Sequence, residues 1–369
     1  MAAKSRSQKK NKFLGSLFVN GILILICLIW LLPTVGVFIT SFREPEDLFG
    51  SGWWTIFPHR TWVKSGEIRL DDSVDVNGPI QIEGITSTFE DLRKGVQLED
   101  GRKLTWLGNK RTRVITVEER KWVGFSTRLT LENYKNTLSG KTIRYIDASG
   151  NEILRQGNDL GGAFLNSIAV AVPSTIIPIL IAAFAAYGFA WMNFPGRKIL
   201  FVLVIAMIVV PLQLALIPIL RDYTKLDLNG TYLAMWLAHT GFGLPLAVYL
   251  LFNYIGSLPR DILESAFIDG ASHFTIFRSL ILPLAVPALA SFAIFQFLWV
   301  WNDYLVALVF LGDRNRVVTS ALAAMVGEKG QDWHLLTSGA FVSMILPLTV
   351  FFALQRFFVR GMMAGSVKG

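Results

Sequence analysis

Between Phe13 and Phe42 the chain carries no charged residue. An uncharged run of that length is long enough to cross a bilayer core, which takes about 20 residues of helix. The feature recurs along the chain. Leu160–Gly196 and Ile199–Leu220 are uncharged, Leu228–Pro259 lacks a full charge, and Pro283–Gly312 holds a single acid, Asp303; Leu335–Gln355 closes the series. Inside lipid every backbone polar group must be satisfied within its own segment, so runs of this kind fold as helices. They predict an all-α integral membrane protein with six transmembrane helices. A hydrophobic share of 52% agrees, and it sets the chain apart from soluble proteins of its length.

The short polar segments predict orientation. Residues 1–12 hold Lys4, Arg6, Lys9, Lys10 and Lys12 and no acid. The run over 13–42 is too long for the core of a signal peptide, and no small-x-small cleavage site follows it. It reads as an uncleaved first span with the N-terminus in the cytoplasm. Six spans return the C-terminus to that side. Lysine and arginine in the proposed inner segments then outnumber those in the short outer loops by twelve to five, the bias expected of cytoplasmic loops. The net charge of +8 is distributed over such loops and gives no indication of nucleic acid. One cysteine, Cys27, lies in an apolar run, so there is no disulfide framework, and the histidines at 59, 239, 273 and 334 show no metal-ligand spacing.

Leu258 to Pro287 interrupts this pattern. It lies between two apolar runs yet carries Arg260, Asp261, Glu264, Asp269 and Arg278, which lipid would not accept. It reads as two short helices around a turn. Ser257 is placed to cap the first, with Pro259 in its opening turn. Ile262, Leu263, Ala266 and Phe267 give a small apolar face at helical spacing. Gly270 permits the turn. Ser272 is placed to cap a second helix that runs to Pro283. Such a hairpin is a compact knob suited to a partner protein.

Glu264-Ser265-Ala266, then Gly270, then Leu280-x-Leu282-Pro283, resembles the EAA signature of ABC importer permeases. Ser265 stands for the second alanine of that pattern and Leu280 for its isoleucine. Asp269-Gly270-Ala271 and the downstream Leu-Pro are similar to the carbohydrate branch, the maltose-type permeases. The resemblance covers the first span and roughly 126–369. It implies a cytoplasmic segment at 1–12, a first helix at 13–42, a periplasmic loop at 43–160, a five-helix core at 161–358 with a cytoplasmic coupling loop at 257–283, and a cytoplasmic tail at 359–369. It implies that Glu264, Ser265, Ala266, Asp269, Gly270, Ala271, Leu282 and Pro283 couple to an ATPase. It implies a second permease subunit, two cytoplasmic ATPase subunits that carry ATP and Mg, and a periplasmic sugar-binding protein. The setting would be a bacterial inner membrane, the cargo a sugar, with no cofactor on this chain and no nucleic acid. The last residues resemble the maltose-type tail, which would set Gly365, Ser366, Val367, Lys368 and Gly369 against the ATPases; composition alone describes a frayed terminus.

Residues 43–160 are longer than the loop of compact maltose-type permeases. Trp53 to Pro58 resembles the family's exit from helix one, and Leu129-Thr-Leu-Glu-Asn-Tyr-Lys135 its approach to helix two. The insertion is therefore about 60–125. Lys103-Leu-Thr-Trp-Leu107 and Arg113-Val-Ile-Thr-Val-Glu118 alternate as short strands do, which predicts a small β-rich periplasmic domain. Trp53, Trp54, Trp62, Trp106 and Trp122 could stack on sugar rings, fill a small core, or lie at headgroup level. A long outer insertion resembles permeases of the α-glucoside branch.

Ser139-Gly140-Lys141-Thr142 is similar to the end of a phosphate loop, but position 135 is lysine where the first glycine is required. No nucleophile–base constellation is present either. The chain is predicted not to hydrolyse ATP. Trp299-Val-Trp301-Asn302-Asp303-Tyr304 is the most polar point of any span. Asp303 lies ~30 Å along a helix from Pro283, which sets it toward the outer interface. The aromatic-Asn-Asp run resembles sugar permeases and makes Gln296, Trp299, Asn302 and Asp303 candidates for the substrate pathway. An interfacial aspartate bonded to a neighbouring helix or loop accounts for Asp303 equally. Prolines such as Pro173, Pro178, Pro211, Pro218, Pro245 and Pro347 are either hinges for alternating access or fixed bends. A secondary transporter is the rival reading, though only Asp303 is available as a buried acid.

Overall fold

The computed structural model describes residues 2–44, 47–48, 52–125, 128–140, 142–146, 152–157, 159–327 and 333–364. The chain divides into two compact units, Met1–Thr130 and Leu131–Gly369.

The first unit opens with α1, Ala2–Ser41, whose apolar portion is the 28 residues Leu14–Ser41. Leu17, Phe18 and Trp30 are exposed along it, which water would penalise and lipid does not. The chain then leaves on an excursion whose ends meet. The Thr130 N–H donates to the Phe42 carbonyl at 2.7 Å, and Arg43 bridges Leu129. Within the excursion lie β1 (His59–Arg69), β2 (Ile80–Ile82), β3 (Ile85–Ser87), α2 (Phe89–Lys94), β4 (Val96–Gln97), β5 (Lys103–Leu107) and β6 (Val114–Val123). An antiparallel sheet runs in the order β1-β6-β5-β4, and β2 pairs with β3. The alternation of β5 works as read: Leu104 and Trp106 are buried, Lys103 and Thr105 less so. Thr88 caps α2 by accepting from the Asp91 N–H, and Gly95, at φ 90°, ends it. Ile80, Leu92, Leu104, Trp106 and Ile115 make a separate small core, each side chain worth roughly 1.5–3 kcal/mol by burial. The β-rich insertion expected at 60–125 is therefore present. Its tryptophans divide: Trp106 is core, edge-on to Phe89 at 5.0 Å, whereas Trp122 is 73% exposed.

The second unit begins with α3 (Glu132–Ser139) and a hairpin, β7 (Thr142–Ile146) with β8 (Glu152–Gln156), that the sequence reading did not anticipate. Then follow α4 (Leu160–Trp191), α5 (Arg197–Ala206), α6 (Leu212–Lys225), α7 (Tyr232–Gly256), α8 (Arg260–Ile268), α9 (His273–Ile276), α10 (Leu282–Trp301), α11 (Leu305–Phe310), α12 (Val318–Gly327) and α13 (Trp333–Ala364). Over both units, five described helical stretches are long and apolar enough to cross a membrane, and α5 with α6 forms a sixth candidate bent by 102°. The span expected over Ile199–Leu220 is thus present as this bent pair. Pro211 has no N–H and pushes Val210 out of the helical region, to ψ 117°, so the helix ends there. Pro173, Pro178, Pro218, Pro245 and Pro347 lie inside continuous helices.

Two apolar clusters hold this unit. Ala182, Ala183 and Ala186 of α4 are fully buried with Ala247, Val248 and Leu251 of α7. Small side chains let these two backbones approach closely. The other cluster centres on Met235, Phe297, Trp301, Phe310 and Val318, with Trp301 stacked on Phe297 at 5.7 Å.

Candidate coupling hairpin and pathway cavity

The charged interruption folds as a hairpin, with two corrections. Ser257 does not cap α8. Its backbone is helical (ψ −6°), and its Oγ donates to the Tyr254 carbonyl at 2.7 Å, which closes α7. An N-cap needs extended backbone, and Pro259 supplies it at ψ 130°. The second arm does not stop at Pro283. α9 passes through a π turn, Phe277–Ile281, directly into α10. The wide turn falls just ahead of Pro283, which cannot donate to the Ser279 carbonyl. The hairpin's second arm is therefore the base of a membrane-length helix, His273–Trp301.

The turn itself matches the reading. Gly270 sits at φ 80°. The Ala271 N–H donates to the Ala266 carbonyl and the Gly270 N–H to the Phe267 carbonyl, both at 3.0 Å, a Schellman closure that favours glycine. Ser272 caps α9 by accepting from the Thr275 N–H at 3.2 Å. Of the expected apolar face only Leu263 is buried; Ile262 and Phe267 are exposed. Leu263, Ile276 and Ile281 enter the cluster that holds Tyr187 and Ile255, and the Tyr187 hydroxyl shares a 2.9 Å hydrogen bond with His273 Nδ1. Outward lie Glu264, Ser265, Asp269, Gly270 and Pro283, with Ala266, Ala271 and Leu282 half-buried. Ile268 is 85% and Phe274 64% exposed beside those acids. These apolar side chains are left uncovered by the chain's own fold. The tail residues Gly365, Ser366, Val367, Lys368 and Gly369 lie outside the described residues.

A cavity of about 910 Å³ opens between the α5–α6 bend, α7 and α10. Three of the four pathway candidates, Gln296, Trp299 and Asp303, line it; Asn302 does not. The Asn302 amide donates to the Leu298 carbonyl of its own helix at 2.8 Å. Gln296 is buried, and its amide donates to the carbonyls of Ser174 (3.1 Å) and His239 (3.3 Å), which ties α4, α7 and α10 together. Asp303 accepts from the N–H groups of Val306 and Ala307, at 3.3 and 3.1 Å, and so starts α11. This is the neighbouring-helix bond anticipated for it. His239 was passed over in the sequence as one of four scattered histidines. It is fully buried, its Nε2 lies 3.7 Å from Asp303 Oδ2, and its ring meets Trp299 edge-on at 5.1 Å. Its placement in the long uncharged run Leu228–Pro259 was the available signal.

Residues 163–364 match the profile of the binding-protein-dependent transport system inner membrane components. The chain belongs to this family. The permease is 45% identical over 99% of its length to the osmoprotective compounds uptake permease protein GgtD of Synechocystis, covering 96% of that protein. It is equally 45% identical, over 94% of its length and 95% of the relative, to the alpha-glucoside transport system permease protein AglG of Rhizobium meliloti. The crystal structure of a bacterial ABC transporter that imports the acidic polysaccharide alginate superposes with a TM-score of 0.57 at 15% identity, over 92% of this chain and 95% of that one. That likeness concerns the fold. Together these make the protein a multi-pass permease of the inner membrane with the ABC importer fold.

Proposed function

We propose that this permease is one of two transmembrane subunits of an ATP-driven importer of sugars, α-glucosides or related oligosaccharides. The observation that carries the reading is the 45% identity to an alpha-glucoside permease along nearly its whole length. Two cytoplasmic ATPase subunits, which bind ATP and Mg, grip the hairpin at Glu264–Ala266 and Asp269–Ala271, and at Leu282–Pro283 where its second arm enters α10. Because α9 runs unbroken into α10, closure of the ATPases pulls on a membrane helix that ends beside the cavity. A periplasmic binding protein delivers the sugar, and the second permease completes the pathway along Gln296, Trp299 and Asp303. Both termini face the cytoplasm, the insertion faces the periplasm, and the tail from Gly361 reaches between the ATPases. The basic N-terminal segment and the resemblance of the tail support that placement.

Reconstitution tests this. The complex of both permeases, both ATPases and the binding protein should accumulate an α-glucoside in proteoliposomes only with ATP, and the purified permease alone should show no ATP turnover. Uptake driven by an ion gradient without ATP would assign it to a secondary transporter. ATP-driven uptake of a non-sugar solute, with every glucoside of a panel excluded, would leave the importer and replace the cargo.

A further inference from the structure

The cavity beside α10 carries one residue with a formal charge at neutral pH. Among the described residues that line it there is no lysine, arginine or histidine, and Asp303 is the single acid. Its other polar lining includes Gln213, Tyr223 and Gln296, set among apolar and aromatic side chains such as Phe242, Phe292 and Trp299. Both Asp303 oxygens accept hydrogen bonds from backbone N–H groups, which favours the charged form of a carboxylate. Behind it stands His239, fully buried, with no hydrogen-bond partner on either ring nitrogen, Nε2 3.7 Å from Oδ2. The same ring supports Trp299 edge-on. One negative charge with no basic side chain among the described lining residues, in a site with apolar walls, biases the potential around it toward negative.

We propose that this cavity admits uncharged polyhydroxylated solutes and turns away acidic ones, with Asp303 deciding the selection and His239 positioning Asp303 and Trp299. The proposal rests on the reading of the cavity as part of the solute path. Amide and carboxylate groups bond hydroxyls, and Trp299 offers an aromatic wall to a sugar ring, whereas a uronate brings a second negative charge into reach of the first. Imported uronic oligomers would need a basic residue here, and the lining has none.

The test places a reporter thiol in the cavity. Gly241 lines it, and a Cβ there would meet nothing within 4 Å. The single native thiol, Cys27, is removed as Cys27→Ser. In the assembled complex in detergent, Gly241→Cys is labelled with a cationic and an anionic methanethiosulfonate, each rate divided by that with a free thiol in solution. The normalised cationic rate should exceed the anionic by about tenfold or more. Asp303→Asn should bring the two close to parity. His239→Phe should lower the ratio about threefold, and His239→Gln, which keeps a polar neighbour, should restore it. Maltose should slow labelling; digalacturonate at equal concentration should not, until Asp303 is replaced.

Equal rates for the two reagents, or a ratio unmoved by Asp303→Asn, overturns the selection. A ratio unmoved by His239→Phe overturns the positioning role. Protection by neither sugar, in a complex that still transports a glucoside, overturns occupancy by polyols. Failure of the assembled complex to transport any glucoside strikes the proposed function instead, because the labelling ratio is read without transport.

Discussion

The Tyr187 hydroxyl and His273 Nδ1 meet at 2.9 Å, which joins the C-terminal end of α4 to the first residue of the hairpin's second arm. The Tyr187 ring also tilts against Phe277 at 5.8 Å. Ring packing survives Tyr187→Phe, so the substitution removes the hydrogen bond alone. We expect a loss of about 1 kcal/mol in stability and a lower ratio of sugar imported to ATP consumed. Thermal melting of the complex and paired uptake and turnover assays check this.

Gly270 and Glu264 report on the hairpin's outer face. Gly270→Val forces a β-branched residue to φ 80°, a strain of order 1–3 kcal/mol. Glu264→Lys reverses a charge on an exposed surface, and a like-charge contact in an interface can cost several kcal/mol. Each variant should insert normally yet retain less than about half of the ATPase on the affinity-purified permease pair. Full retention with normal uptake in both would remove this hairpin from the coupling role.

Gly243 lies under the Gln296 amide. A Cβ at that position would stand 2.5 Å from Gln296 Oε1 and 2.6 Å from its Nε2. Gly243→Ala therefore displaces the amide from the carbonyls of Ser174 and His239 and leaves buried polar groups unpaired, at about 1–3 kcal/mol. The expected result is a lower melting temperature and raised half-saturation for uptake. Gly243→Ala combined with Gln296→Ala should recover stability, which melting curves of the double variant decide.

The insertion begins and ends in paired strands. His59 is the register partner of Val123, and its core does without residues beyond Val117 and Ile68. Replacing Arg60–Phe125 with a short Gly/Ser linker should leave the complex able to assemble in detergent. Failure to assemble would make the insertion structural. Assembly with uptake abolished would place it in delivery of the sugar.

Within the insertion, the Asp100 carboxyl is held below the ordinary carboxylate range, chiefly by the Arg102 backbone N–H and then by its guanidinium. A depressed acid stabilises the fold above its unfolded value of about 3.9 and ceases to do so as pH falls through the lower folded value. Hydrogen-exchange protection across the Leu98–Arg102 turn, each rate taken relative to the unstructured amide at the same pH, should fall over that acid range. Asp100→Asn should be less protected already at neutral pH and show no such step.

The six apolar runs, the hairpin's position and its glycine turn were legible in the sequence because each depends on neighbours in the chain. Absence of charge defines a span, and a Schellman turn is closed by residues five apart. The β-rich insertion was legible for the same reason, since period-two alternation is local. Ser257 was misplaced because a serine's power to cap depends on backbone dihedrals, which Pro259 and the end of α7 decided together. The second arm was cut at Pro283 because proline signals a helix boundary in isolation, whereas the π turn before it kept the helix continuous.

The sequence by itself determined that this chain carries runs long and apolar enough to cross a membrane, and where a charged hairpin interrupts them. Only the tertiary structure decided that the α5–α6 pair bends by 102°, that Gln296 rather than Asn302 faces the cavity, and that His239 stands 3.7 Å from Asp303. The reason is separation along the chain. Hydropathy and turn chemistry act between near neighbours. His239 lies in α7 and Asp303 in the break between α10 and α11, and no local pattern records which polar side chains the packing of distant segments will set face to face.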